Sequence, residues 1–152
     1  MNKIIFTKLF IILIFITGCG YTPIFSNKNT KFTIVEIEST GNNKLNKILS
    51  NKLNIYKNLN SEKKYYLRVN TDVNKKISSK NSKGNAKTFE LTVSTNTNIQ
   101  DEKGNIKEKL FSKSVNYKNS NNKFDLKKYE NQSSEALINK ISEEIIIYLQ
   151  TN

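Results

Sequence analysis

The sequence predicts an α+β fold: a two-layer sandwich with two helices packed on one face of a four-stranded mixed or antiparallel sheet, in the order β-α-β-β-β-α. Three observations predict it. Residues 64–75 and 86–99 alternate apolar and polar side chains with period two, as strands do when one sheet face is covered and the other is wet. Leu45, Ile48, Leu49, Leu53 and Tyr56 recur with helical period. So do Leu137, Ile141, Ile145, Tyr148 and Leu149. Placing both stripes on one sheet face buries them and leaves a second face rich in Asn, Thr, Ser and Lys in water.

Taken in order, the chain opens with Lys3 and Lys8, then an apolar run from Leu9 to Ile16, then Thr17-Gly18-Cys19. That is the positive n-region, short h-region and small-residue cleavage site of an export signal. A membrane-spanning helix needs roughly 20 consecutive apolar residues, and Lys8 leaves far fewer here. Ile16-Thr17-Gly18-Cys19 resembles the bacterial lipoprotein version of the signal at every position. The resemblance implies a diacylglyceryl thioether on Cys19, cleavage after Gly18 and acylation of the new amine. Several acyl chains hold a protein durably at a membrane, at about 0.8 kcal/mol per buried methylene. Residue 20 is Gly rather than Asp, which by the same resemblance favours the outer membrane. The expected organisation is a removed signal over 1–18, a lipidated tether over 19–30 and a single α+β domain over 31–150. The tether carries Pro23, the only proline, and the apolar Tyr21, Ile24 and Phe25.

The first strand reads as Lys31–Glu38, compact and β-branched, with both faces apolar until Glu36 and Glu38 reach water. The first helix reads as Gly41–Leu59, with Ser39, Thr40 or Asn42 available as its cap. In the second strand, Lys64–Lys75, Tyr65, Leu67, Val69, Thr71 and Val73 point inward. Residues 76–85 are polar and basic and read as a long hairpin loop. The third strand, Ala86–Ile99, buries Phe89, Leu91, Val93, Thr95, Thr97 and Ile99. Asp101-Glu102-Lys103-Gly104-Asn105 is a turn with Gly at a position suited to positive φ. The fourth strand, Ile106–Lys118, turns Phe111, Val115 and Tyr117 inward, and Lys113 breaks its pattern. A polar loop, Asn119–Lys123, leads to a second helix from Asp125 to about Gln150. Ile138, Ile146 and Ile147 widen its stripe, which implies burial under more than the sheet alone.

Composition narrows the function. The formal charge of the 152 residues is +12, and removal of Lys3 and Lys8 with the signal leaves +10. A basic balance suits nucleic acid, an anionic membrane or an anionic glycolipid. An exported address sets nucleic acid aside. Arg68 is the only arginine among 25 basic residues, and the chain is crowded with Asn, Lys and Ile, as codon bias in a low-GC genome produces. The lysines therefore read either as solvated surface or as a face for an anionic ligand. There is no His and no second Cys, so Ser-His-Asp and Cys-His nucleophile systems, His/Cys zinc sites and an intrachain disulfide are excluded. Of the acid pairs, Glu36 and Glu38 share a strand face that reads as solvent, and adjacent Glu143 and Glu144 diverge on a helix. No catalytic residue, cofactor or metal is expected.

With these residues in place, the chain resembles the lipopolysaccharide-assembly lipoprotein family (the LptE family). Gly18-Cys19-Gly20-Tyr21-Thr22-Pro23-Ile24-Phe25 is similar to that family's Gly-Cys-Gly-aromatic-x-Pro-apolar-aromatic opening. The hairpin segment Gly84–Val93 and a long C-terminal helix of the Ala136-Leu137 type extend the likeness along nearly the whole mature chain. The resemblance implies a non-enzymatic plug inside the lumen of an outer-membrane β-barrel of the LptD type. It also implies a role in assembling that barrel and in binding lipopolysaccharide on its way to the surface. It places the basic contacts in the loops before the third strand and after the fourth, which here offer Lys83 with Lys80 and Lys87, and Lys123 with Lys118. Those sites often use Arg in the family, and this chain has Lys. The other function the residues allow is an accessory lipoprotein of an envelope ABC transporter or lipid-shuttling system, acting as a periplasmic binding module. It would need an apolar ligand groove, for which the clean alternation of the second and third strands leaves no surplus of apolar residues.

Overall fold

The computed structural model describes residues 30–151. The signal, Cys19 and all of the tether except Thr30 lie outside them. Four strands form one sheet in the order β1-β2-β3-β4, comprising β1 (Phe32–Gly41), β2 (Lys63–Lys80), β3 (Ala86–Asp101) and β4 (Ile106–Lys118). Helix α1 (Asn43–Asn54) connects β1 to β2, and α2 (Lys123–Thr151) follows β4. β1 runs parallel to β2, while the other pairs are antiparallel, so the sheet is mixed. The α+β class and the element order are those the alternation predicts.

Both helices contribute to one core. Leu45, Leu49 and Leu53 of α1 and Ile138, Ile141 and Ile145 of α2 meet Leu67, Val69, Val93 and Ile99 of the sheet, all buried. The register explains the shared face, since Leu67 lies opposite Ile99, Val69 opposite Thr97 and Thr71 opposite Thr95. Thr71 and Thr95 bury their hydroxyls here by bonding them to each other at 3.2 Å, which removes most of the cost of a polar group in a core. Ion pairs fasten the two helices to each other, with Lys44 on Glu135 at 2.7 Å and Lys52 on Glu143 at 2.8 Å.

Several expected boundaries move. The first helix is shorter than 41–59, because Gly41 takes φ +88° and ends β1, and the Asn42 side chain caps the helix by accepting from the Leu45 N–H at 3.1 Å. Tyr56 is buried, but from beyond the helix, where its ring stacks on Phe32 at 5.3 Å and its carbonyl accepts from the Ile34 N–H. β1 runs to Gly41 with a bulge at Val35, which is left half-exposed. Residues 76–80 are strand rather than loop, since β2 stays paired with β3 as far as Lys80 opposite Ala86. Polarity misled there, because a strand whose two faces both meet water needs no apolar residues. The last helix starts at Lys123 and runs to Thr151. Ile147 is 48% exposed, so the buried stripe excludes it. Among the described residues no helix is long and apolar enough to cross a membrane.

Candidate functional site

The site is built from two loops at one end of the sheet. The β2–β3 turn, residues 81–85, closes through the Asn81 side chain, which accepts from the backbone N–H groups of Lys83 and Asn85, each at 3.0 Å. Gly84 then takes φ +80°, a conformation glycine adopts without strain. The β3–β4 turn repeats the device: Asp101 accepts from Lys103 and Asn105, each at 2.9 Å, and Gly104 takes φ +82°. Asn81-Ser82-Lys83-Gly84-Asn85 and Asp101-Glu102-Lys103-Gly104-Asn105 are thus one turn used twice, a repeat visible in the sequence once the second strand is carried to Lys80. Lys83 therefore stands at the tip of a rigid hairpin.

The second loop, residues 119–122, is bonded to the start of β3. The Asn119 N–H donates to the Lys87 carbonyl at 2.9 Å, and the Asn119 side-chain amide donates to the Ala86 carbonyl at 3.0 Å. Asn122 caps α2, accepting from Phe124 at 3.1 Å and Asp125 at 3.2 Å. Lys123 folds back so that its ammonium donates to the Ser120 carbonyl at 3.1 Å. Lys123 is brought to the same end as Lys83 and Lys87, from which it is distant in sequence, with Lys80 and Lys118 paired to Ala86 and Thr88 beside them. All five are exposed, and none forms an ion pair among the described residues. Phe124, 77% exposed, adds an apolar side chain to this cationic end. Several unpaired ammonium groups can meet a multiply charged anion as point charges, without the fork geometry arginine offers.

Beneath that end lies a polar cluster that the sequence reading did not find. The Glu130 carboxylate accepts from Lys75 Nζ and from Tyr117 Oη, each at 2.6 Å. Lys75 also lies 4.1 Å from the centre of the Phe89 ring. The available signal was Lys75 itself, a charge at an inward position between Val73 and Ile77. Burial pushes the Glu130 carboxyl upward, but the bonds from Lys75 and Tyr117 and the charges of Lys75 and Lys127 outweigh it, and its pKa is lowered. Burial and the Glu130 bond raise that of Tyr117. A carboxylate with a lowered folded pKa stabilises the fold above its unfolded value, ordinarily 4.5, and loses that contribution as the pH falls through the folded value. Glu130→Gln is therefore expected to lower stability by about 2 kcal/mol at pH 7. The gap should narrow in urea titrations taken below pH 4.5, and a constant gap down to about pH 3 would refute the assignment.

Glu38 of the first acid pair and both members of the second meet cations. Glu38 accepts from Arg68 at 2.7 Å, Glu143 from Lys52 at 2.8 Å, and Glu144 meets Lys113, which explains the lysine that breaks the β4 pattern. Among the described residues no three His, Cys, Asp or Glu side chains converge as a metal site would require.

No protein-family model matches the chain, and no curated protein matches it. Solved structures do. The chain shares its fold with bacterial lipoproteins. A minor lipoprotein from Acinetobacter baumannii superposes with a TM-score of 0.58 at 16% identity, over 82% of this chain and 95% of that one. Lipoprotein B from Nitrosomonas europaea gives 0.57 at 12%, over 85% and 91%. The rare lipoprotein B of Shewanella oneidensis gives 0.54 at 9%, over 72% and 92%. At these identities the likeness concerns the fold alone, so the assignment of a role rests on this chain's own residues.

Proposed function

We propose that this protein is a non-enzymatic, lipid-anchored outer-membrane protein that plugs and helps assemble a lipopolysaccharide-translocating β-barrel, and that its cationic end binds lipopolysaccharide in transit. The observation that carries the reading is the bonding of the 119–122 loop to Ala86 and Lys87, which gathers Lys83, Lys87 and Lys123 into one exposed group. Lipid A phosphates and core acids are the multiply charged anions such a group suits. A lipobox ahead of a fold shared with lipoproteins supports the anchor. The open sheet face supports the plug: Asn70, Asn74, Thr92, Ser94, Asn96 and Asn98 present short polar side chains, and barrel lumens are polar.

Purification of the lipidated protein from detergent-solubilised outer membranes, with mass spectrometry of what accompanies it, tests the partner. A large β-barrel at equal stoichiometry, retained in high salt, is the expected result. Recovery of inner-membrane transporter components with no barrel would replace this reading with the accessory-lipoprotein one. For the ligand, the combined Lys83→Glu, Lys87→Glu and Lys123→Glu variant should bind lipopolysaccharide at least about tenfold more weakly while its stability stays within about 0.5 kcal/mol. Unchanged affinity would show these lysines to be solvated surface only.

A further inference from the structure

The chain enters the described fold beside a notch at one end of the sheet. Thr30, the first described residue, is held there, its carbonyl accepting from the Ser61 hydroxyl at 3.5 Å. The pairs Phe32–Lys63, Tyr65–Asp101 and Gln100–Ile106 place the start of β1 at the same end as the start of β2, the end of β3 and the start of β4. At that end a notch of about 100 Å³ opens between the sheet and the last turns of α2. Tyr65, Ile99, Tyr148 and Leu149 give it an apolar lining, and Asp101 and Lys107 stand among them.

Size, charge and reach select the occupant. The notch is well below the roughly 300–1,000 Å³ of a small-molecule site, so it takes a single side chain. One acid and one lysine leave it with no net charge, so a charged partner gains nothing there. Residues 20–27, Gly-Tyr-Thr-Pro-Ile-Phe-Ser-Asn, carry no charge and three large apolar side chains, Tyr21, Ile24 and Phe25. They also lead directly to this end of the sheet. The Phe32 ring lies 6.2 Å from that of Tyr65, which lines the notch. Phe25 stands seven positions before Phe32, and seven residues span up to about 23 Å. Of the three apolar residues it is the nearest in sequence to Thr30. Pro23 cannot donate to a strand ladder, which favours docking by side chains over addition to the sheet.

We propose that the segment Tyr21–Asn27 docks on this end of the domain, with the Phe25 side chain in the notch between Tyr65, Tyr148 and Leu149. With Cys19 lipidated, the docked segment holds the domain at a fixed angle to the membrane. The anchor then sits at this end, and Lys83 stands at the other, about 55 Å away along the 18 residues of β2. This goes beyond the glycolipid role and does not rest on it.

The test uses the full lipidated chain in mild detergent, with pairs of engineered cysteines and a thiol oxidant. Ser26→Cys leaves Phe25 in place and is combined either with Lys107→Cys, at the notch, or with Asn60→Cys. Asn60 is exposed and adjoins Ser61, the contact of Thr30, so an undocked segment meets it first. Linking of 26 to 107 within one chain is expected to run at least about fivefold faster than linking of 26 to 60, because docking raises the local concentration. Phe25→Ser should abolish that preference and, in the chain without added cysteines, lower the thermal midpoint by about 3 °C. Equal rates, faster linking at residue 60, or links between two chains would overturn the proposal. So would an unchanged midpoint in Phe25→Ser. Phe25 lies outside the lipobox, so that variant keeps its anchor, and Cys19→Ser leaves the docking side chains in place. Failure to recover a barrel partner would leave these readouts untouched, so the two proposals fail separately.

Discussion

Gly41→Ala is expected to destabilise the domain by roughly 2–4 kcal/mol, a large part of what a domain of this size has. Two effects combine. Gly41 has φ +88°, where an L side chain is strained, and a Cβ there would lie 2.1 Å from the Thr71 carbonyl oxygen. That oxygen is backbone in the middle of the sheet, so no side-chain rotation relieves the contact. It is also the acceptor of the Asn42 N–H at 2.8 Å. Moving it disturbs the residue that caps α1 through Leu45 and the neighbouring bond from the Asn46 side chain to the Thr40 carbonyl at 2.7 Å. Gly84 and Gly104 are internal controls, with φ +80° and +82° and no atom within 4 Å of an added Cβ. Alanine at either should cost only the conformational penalty, about 1 kcal/mol. Urea unfolding of the three variants makes the comparison, and equal losses at Gly41 and Gly84 would contradict the close approach.

Cys19→Ser is expected to abolish anchoring while leaving the fold untouched. Serine has no thiolate to form the thioether, so incorporation of labelled fatty acid should drop to background. Each lost chain removes about 0.8 kcal/mol of membrane affinity per buried methylene. The thermal transition should not move, because Cys19 lies ahead of the domain described by residues 30–151. Label persisting in the serine variant would refute the lipobox reading. A shifted transition would show that the N-terminal segment packs on the domain.

The sequence was legible wherever a pattern is local. Alternation along residues 64–75 and 86–99 identified the buried faces of β2 and β3, and Leu45, Leu49 and Leu53 identified the buried side of α1, because periodicity reports which face leaves water. It failed where polarity or punctuation stood for something else. Residues 76–80 are polar because both their faces are solvated, yet they remain paired to β3. Gly41 reads as a helix start but ends a strand, since the need for glycine comes from Thr71, thirty residues away in an adjacent strand. Lys113 breaks the β4 pattern because it is the ion-pair partner of Glu144 on the helix above, and Lys75, at an inward position of β2, is that of Glu130.

The candidate site divides in the same way. Lys83, Lys87 and Lys123 were identifiable as loop lysines, but the sequence alone did not show whether they share a surface. The amino-acid sequence by itself determined the element types, their order, the covered sheet face and the lipidation motif, because each depends on side chains a few positions apart. Only the tertiary structure decided that β1 stops at Gly41, opposite Thr71, that β2 carries no further strand on that edge among the described residues, and that Asn119 brings the two lysine loops together. Those outcomes depend on single hydrogen bonds and close approaches between residues far apart in the chain, which leave no periodic trace along it.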